Sequence, residues 1–443
     1  MKNFYIKIYG CLFNHADAQR IKTILLHHGL KEVLDPKRAH IIIVISCSVR
    51  QKAEHKAIDF INKFSQNKIT ILTGCMIRRD FQNNMTHNTQ KRIKYLNEIL
   101  PRTYFIDITN IKLLPKMLND IENKTKKHII DKTYTLNTRE PNYYDIIAPT
   151  YDNDSPIAAI PIMSGCNEMC SYCVVPYSRG QEYYRNLDSI LQDVYKALSN
   201  GKKIIYLLGQ IVDKWEEANR NFLFLLKSIV KIKKTFYLGF TSPHPNYITR
   251  DIIDFIAKEP KMLKHLGLPL QSGSNKILKL MNRKYTVEKY KKIAQYAKNK
   301  IPNLYLTTDI IVGFPGETGK DFNQTVNIIK ELRFDKIFFA KYSPRLNEYH
   351  KKIVNNSEYQ KILTKRFNRI NKIANLIFSQ NNQQRVGSVY KAIIINSKFA
   401  LTETNQYVEI EPSQQQLQMG KLIQIKITKG GTRGLAGKIL KML

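Results

Sequence analysis

Six cysteines are the residues of this 443-residue chain best suited to chemistry, and they fall into two sets of three. Cys166, Cys170 and Cys173 form one tight run, Gly165-Cys-Asn-Glu-Met-Cys-Ser-Tyr-Cys173, with C-x3-C-x2-C spacing. That run offers three thiolates to one metal centre and no fourth. A structural zinc site closes with four ligands, often in C-x2-C pairs. A cubane iron–sulfur cluster has four irons, so three cysteines leave one iron open to a small molecule. The spacing favours the open cluster over a zinc knot.

Cys11, Cys47 and Cys75 are far apart in sequence, yet their settings match. An apolar, β-branched run precedes each: Phe4 to Tyr9, Ile41 to Ile45 and Ile69 to Leu72. Helical periodicity follows, as in Ala16, Ile21, Ile24 and Leu25 after Cys11. Alternating strand and helix predicts a parallel α/β sheet, whose strands share one carboxyl edge where ligands bind. All three cysteines are expected at that edge. His15, His55 and His244 could suggest a metal site, but single histidines such as His55, on a helix after Cys47, are read as surface or capping residues.

The rest of the sequence sets the elements that must position these groups. The first α/β unit is expected over residues 1–131 and a turn-rich linker over 132–156. A second series of strand–helix pairs follows over 157–380, with strands at Ile157 to Met163, Ile204 to Leu208, Phe236 to Thr241, Leu266 to Leu270, Leu304 to Val312 and Ile337 to Tyr342. Six such units fall short of the eight that close a full barrel, so an open, partial (β/α)6 barrel is expected. Beyond a basic helix, residues 381–443 read as a small five-stranded β-barrel. The fold class is α/β throughout, apart from that C-terminal barrel.

Lys and Arg number 71 against 36 Asp and Glu, a net charge of +35. Such an excess attracts polyanions, nucleic acid above all. Six cysteines in so long a chain do not make a disulfide framework and suit metal ligation in a reducing compartment. Apolar runs such as Ile41 to Ile45 are too short to span a bilayer. A cytoplasmic protein without membrane association is expected.

The tight triad, with Tyr172 before its last cysteine, resembles the radical S-adenosylmethionine (SAM) superfamily. Adding Tyr9-Gly-Cys-Leu-Phe-Asn14, Ser46-Cys-Ser-Val-Arg50, Gly74-Cys-Met76, Leu268-Pro-Leu-Gln-Ser-Gly-Ser274 and Thr308-Asp-Ile-Ile-Val-Gly-Phe-Pro-Gly-Glu317, nearly the whole chain resembles the methylthiotransferase branch of that superfamily. The resemblance implies two [4Fe-4S] clusters and SAM as cofactors. Cys166, Cys170 and Cys173 would hold the catalytic cluster, and Cys11, Cys47 and Cys75 an auxiliary one. Tyr172, Gly209, Gln210, Gln271, Arg283 and Asp309 would contact SAM. The tail resembles the RNA-binding TRAM domain, with Lys421, Lys426, Lys429 and Arg433 as phosphate contacts.

Within that branch, Cys173-Val-Val-Pro-Tyr-Ser-Arg-Gly180 is most similar to the MiaB type, which methylthiolates N6-isopentenyladenosine at position 37 of tRNA. The resemblance implies a tRNA anticodon stem-loop as substrate, an electron donor such as a flavodoxin or ferredoxin, and a monomer. Two alternatives share the clusters: action on threonylcarbamoyl-adenosine 37, and action on an aspartate of a ribosomal protein. Ile45-Ser46 in place of Asn-Thr, and Leu346-Asn-Glu348 in place of Pro-Gly-Thr, depart from the pattern without removing a cysteine.

Overall fold

The computed structural model describes residues 2–48, 51–77, 94–123, 142–152, 154–344, 348–412 and 417–443. Much of the expected linker (132–141 and Asn153) and the departure at Leu346-Asn347 lie outside the described residues. Two compact units emerge. One comprises Met1–Tyr151, Ala159–Glu168 and Cys173–Asp193; the other comprises Asp152–Ala158, Met169–Tyr172 and Val194–Leu443.

The first unit is built on β1 (Asn3–Tyr9), β2 (Lys31–Glu32), β3 (Ile41–Ser46), β4 (Ile69–Gly74) and β5 (Thr103–Phe105). They pair in the order β2-β1-β3-β4-β5, every pair parallel. Central β3, Ile-Ile-Ile-Val-Ile-Ser, is buried at all six positions, as a parallel strand covered on both faces must be. Its Ile42 and Val44 pack with Leu72 of β4 and with Ala57 and Ile61 of the helix Gln51–Phe64. Each buried isoleucine or leucine contributes about 1.5–3 kcal/mol. Helix α1 (Leu12–His27) buries Ala16, Ile21 and Leu25.

Part of the stretch read as linker is structured. Tyr143–Ile146 forms a helical turn capped by the Asn142 side chain, and Tyr143 and Tyr144 are buried. Two tyrosines with satisfied hydroxyls explain why a polar, turn-rich sequence still packs.

In the second unit, β6 (Ile157–Pro161) contributes its first two residues. A short hairpin, β7 (Met163–Ser164) with β8 (Tyr183–Tyr184), belongs to the first unit. The series continues with β9 (Ile204–Leu208), a hairpin of β10 (Glu216–Glu217) and β11 (Arg220–Asn221), then β12 (Tyr237–Phe240), β13 (His265–Gly267), β14 (Tyr305–Val312) and β15 (Lys336–Lys341). Sheets run β6-β9-β12 and β13-β14-β15, in chain order, and a parallel bridge between Leu238 and Met262 links β12 to the segment entering β13. Helices separate the strands, as the partial (β/α)6 reading requires. The expected strand Leu266 to Leu270 ends at Gly267: Leu270 N–H donates to the Thr308 side chain rather than to a neighbouring backbone, and Gln271 takes a positive φ of 69°.

The tail closes into a five-stranded barrel of β16 (Val389–Ile394), β17 (Phe399–Thr402), β18 (Tyr407–Ile410), β19 (Leu422–Gly431) and β20 (Gly434–Met442), ordered β16-β17-β18-β20-β19. Strand alternation sends Ile423, Ile425 and Ile427 into its core and leaves Lys426 outside. Among the described residues, no helix is long and apolar enough to cross a membrane.

Candidate functional site

Register places the first cysteine set. Tyr9, Ser46 and Gly74 lie in one row across β1, β3 and β4. Cys47 and Cys75 follow that row by one residue and Cys11 by two, so all three leave the carboxyl ends of adjacent strands. Cys75 N–H donates to Ser46 O at 3.0 Å, and the Asn14 side-chain amide donates to the same carbonyl at 3.1 Å. The Cys11 thiol donates to Asn14 Oδ1 at 3.4 Å. Gly74 is required here: its φ is +97°, and a Cβ would lie 2.4 Å from Ser46 O. The Cys11 thiol is pushed up by desolvation and by Cys75 and pulled down by Arg179, so these side chains share one electrostatic neighbourhood.

Arg179 is the unexpected member of this edge. It ends the helix Val175–Arg179, which Pro176 helps to start, and Gly180 follows at φ +79°. Its Nε donates to Cys75 Sγ at 3.2 Å and its Nη2 to Asp17 Oδ2 at 2.7 Å. Tyr143 and Tyr144 donate their hydroxyls to Asp17 Oδ1 at 2.7 and 2.6 Å. Burial disfavours the guanidinium charge, but Asp17 and then Cys75 more than offset that and keep Arg179 cationic. The network extends through Arg20 to Asp193 at 2.6 Å, Asp193 to Arg185 at 2.9 Å, and Arg185 to Asp145 at 2.8 Å. Three arginines thus meet three aspartates, the pairing that buried charges need.

The tight run starts from a constrained turn. Gly165 has φ +77°, and a Cβ there would sit 1.9 Å from Gln181 O. Cys166 N–H donates to Gly180 O at 3.1 Å, and Asn167 and Glu182 exchange backbone-to-side-chain bonds at 3.1 and 3.2 Å. In the other unit, Asn282 Nδ2 donates to Met169 O at 2.9 Å and the Ser171 hydroxyl donates to Leu280 O at 2.9 Å, fixing the turn that carries Cys170. Val175 N–H donates to Cys173 Sγ at 3.4 Å. Among the described residues no group of three or more His, Cys, Asp or Glu converges as a single-ion site. A cluster asks for something looser, since each thiolate binds a different iron.

The residues expected to touch SAM lie on the second unit, though only Gly209 and Gln210 directly follow a strand. Gly209 and Gln210 directly follow β9, and Gln210 Oε1 is buried without a hydrogen-bond partner. Gln271 bridges Ile310, with its N–H on Asp309 O at 2.8 Å. Asp309 is an exposed position in a β14 whose neighbours Thr308 and Ile310 are buried. Arg283 donates to Tyr285 Oη at 3.1 Å and to Cys170 Sγ at 3.4 Å, while its Nη2 is buried and unpaired. Tyr172 packs beside Ile277, Met281, Phe314 and Tyr342. Gly313 N–H donates to Glu317, which Arg366 holds at 2.8 Å, and Thr318 with Asp321 then caps the helix Gly319–Leu332.

Lys421, Lys426, Lys429 and Arg433 are all exposed. They run along the β19–β20 hairpin rather than forming one cluster. Lys421 precedes β19, Lys426 faces Lys438 across the ladder, and Arg433 sits in the turn between the strands.

Comparison with known proteins gives this geometry a context. Residues 160–329 match the radical SAM superfamily, and residues 3–94 match the uncharacterized protein family UPF0004. The chain is 33% identical to the tRNA-2-methylthio-N(6)-dimethylallyladenosine synthase of Thermodesulfovibrio yellowstonii, over 98% of both chains. It is also 33% identical to the Buchnera aphidicola enzyme of that name, over 100% of this chain and 99% of the relative. The Clostridium botulinum enzyme is 32% identical over 98% and 96%. The chain belongs to this methylthiotransferase family. In fold it resembles the radical SAM methyltransferase TsrM of Kitasatospora setae, with a TM-score of 0.55 at 12% identity, covering 80% of this chain and 77% of that one. The cobalamin-dependent radical SAM enzyme OxsB gives a TM-score of 0.54 at 13% identity, over 82% and 56%.

Sequence reasoning missed Asp17, Tyr143, Tyr144 and Arg179 in this methylthiotransferase. Asp17 sits on a helix in a run read only for its apolar spacing. Tyr143 and Tyr144 fell in the supposed linker. Arg179 lay inside a quoted motif, so the available signal was a lone arginine ending a helical turn just after a cysteine run.

Proposed function

We propose that the chain inserts a methylthio group at C2 of N6-isopentenyl (dimethylallyl) adenosine at position 37 of tRNA. The observation that carries this is end-to-end identity of 32–33% with relatives named for that reaction. The donor sets fit the cofactors of such chemistry. Cys11, Cys47 and Cys75 leave one sheet edge beside a buried cation, which suits an anionic thiolate-bound cluster. Gln210 Oε1 and Arg283 Nη2 are buried polar atoms without partners, which suits the amino and carboxylate groups of SAM.

Cys166, Cys170 and Cys173 would hold one [4Fe-4S] cluster and Cys11, Cys47 and Cys75 the other. Gly209, Gln210, Gln271, Arg283, Asp309 and Tyr172 would orient SAM. When bound, these groups supply one-electron cleavage of the SAM sulfonium bond and a sulfur to transfer. Adenine C2 carries an unactivated C–H bond, which is why such chemistry is needed. Lys421, Lys426, Lys429 and Arg433 would hold RNA phosphates, positioning the anticodon stem-loop without reading its sequence. Residues 1–131, 157–380 and 381–443 would then serve as auxiliary-cluster, radical SAM and RNA-binding domains. A flavodoxin- or ferredoxin-like electron donor, a monomeric state and a cytoplasmic location complete the reading.

The test is product analysis. Anaerobically reconstituted protein, SAM, a reductant and isopentenylated tRNA should yield a 2-methylthio nucleoside by mass spectrometry. Product only on threonylcarbamoylated tRNA or on a ribosomal protein would overturn it.

A further inference from the structure

Cys166 and Cys75 are linked through adjacent residues of one turn. Gly180 accepts from Cys166 N–H at 3.1 Å, and Arg179 donates from Nε to Cys75 Sγ at 3.2 Å. Arg179 is held on its far side by Asp17 at 2.7 Å, with the Tyr143 and Tyr144 hydroxyls locking that carboxylate. Asp17, Tyr143, Tyr144 and Arg179 are all buried, at 0, 3, 1 and 7% exposure. A cation fixed this firmly against one sulfur is more than a filler of the core.

We infer that Arg179 is a positioning residue that sets the electron affinity of the cluster bound by Cys11, Cys47 and Cys75. The inference rests on the assignment of that cluster under the proposed function. A hydrogen bond to a ligating sulfur and a nearby positive charge both stabilise the more negative, reduced state of an iron–sulfur centre. Low dielectric strengthens both effects, because solvent cannot screen the guanidinium. The Asp17 pair keeps the planar fork aimed, so that Nε and not a flexible ammonium meets the sulfur. The same turn anchors Cys166, whose N–H donates to Gly180 O.

The test isolates the auxiliary cluster in a C166A/C170A/C173A background and measures its potential by a redox titration followed by electron paramagnetic resonance. Arg179→Gln should lower the potential, shifting the reduction equilibrium at least tenfold, or 59 mV for one electron. Arg179→Lys should fall between the two, since it keeps charge but loses the fork. The double variant Asp17→Asn/Arg179→Gln removes the paired charges together, which protects folding, and should show a smaller drop than Arg179→Gln, because loss of the Asp17 charge partly offsets loss of the guanidinium. Iron content separates the two levels of the account. About four irons in the parent triple variant with an unchanged potential in all three substitutions overturns the inference alone. A parent triple variant that holds no cluster overturns the assignment on which it rests.

Discussion

Arg283 donates from Nη1 to Cys170 Sγ at 3.4 Å, while its Nη2 stays buried with no hydrogen-bond partner. Each cysteine set therefore has one sulfur facing an arginine: Cys75 with Arg179 and Cys170 with Arg283. The two arginines differ in what else they meet. Arg179 finds a carboxylate, whereas Arg283 finds two ring hydroxyl or sulfur partners and keeps a donor in reserve. Tyr172, Tyr285 and Cys170 offset the burial of Arg283 and hold it firmly charged.

That reserve donor predicts a role in holding the SAM carboxylate. Arg283→Gln should weaken SAM binding by about 10- to 100-fold, the size of one charge-assisted hydrogen bond of roughly 1.5–3 kcal/mol. Equilibrium dialysis with reconstituted protein measures it. An unchanged dissociation constant would remove Arg283 from the SAM site.

Gly165→Ala should damage one cluster and spare the other. The added Cβ meets Gln181 O at 1.9 Å in a backbone with φ +77°, so the loop entering Cys166 must shift. Iron per chain should fall from about eight to about four, the auxiliary centre surviving. Full iron loading with normal SAM cleavage would show that this turn is not what places the tight run.

Much of this was legible in the residues. Apolar, β-branched runs before Cys11, Cys47 and Cys75, strictest in Ile41 to Ile45, indicated their place at the ends of neighbouring parallel strands, because a central parallel strand has little freedom in composition. Six strand–helix pairs were readable for the same reason, and the terminal barrel was readable from the two-residue alternation of its mostly antiparallel strands. The Asp17–Arg179 network was not, since long-range ion pairs leave no periodic trace. Nor did the pattern show that the ladder breaks after Leu268, whose N–H still donates to Thr307 O, at Pro269, which lacks the N–H a strand would use.

Asp213 supplies a pH prediction. Burial pushes its carboxyl up to about 8, against the opposing pull of His244 N–H, which donates to both oxygens at 3.0 Å. A carboxyl raised in the folded state binds more protons there than when unfolded. Its contribution is fully present below about pH 4 and is lost as pH rises towards 8. Asp213→Asn should flatten that decline, so its denaturation midpoint should gain on the parent from pH 5 to pH 8. His244, lowered to about 3 chiefly by burial, acts in the opposite sense and costs stability as pH falls below 6.5. A parallel pH profile in the variant would contradict the assignment to Asp213.

The exposed bases of the β19–β20 hairpin should govern tRNA affinity through counterion release. Replacing Lys426, Lys429 and Arg433 with Gln should reduce the slope of log affinity against log salt by about 2, near 0.7 per lost phosphate contact. SAM cleavage without tRNA should be unchanged. A slope equal to the parent's would place RNA recognition elsewhere.

The central claim is that the two cysteine sets have separate duties, and one paired assay addresses it. Cys47→Ala and Cys170→Ala enzymes are each given SAM, reductant and isopentenylated tRNA, and both 5′-deoxyadenosine and the 2-methylthio nucleoside are quantified by mass spectrometry. Cys170→Ala should make neither product. Cys47→Ala should still make 5′-deoxyadenosine at a rate within a few-fold of the parent and no methylthio nucleoside. Methylthiolated tRNA from the Cys47→Ala enzyme would contradict the account.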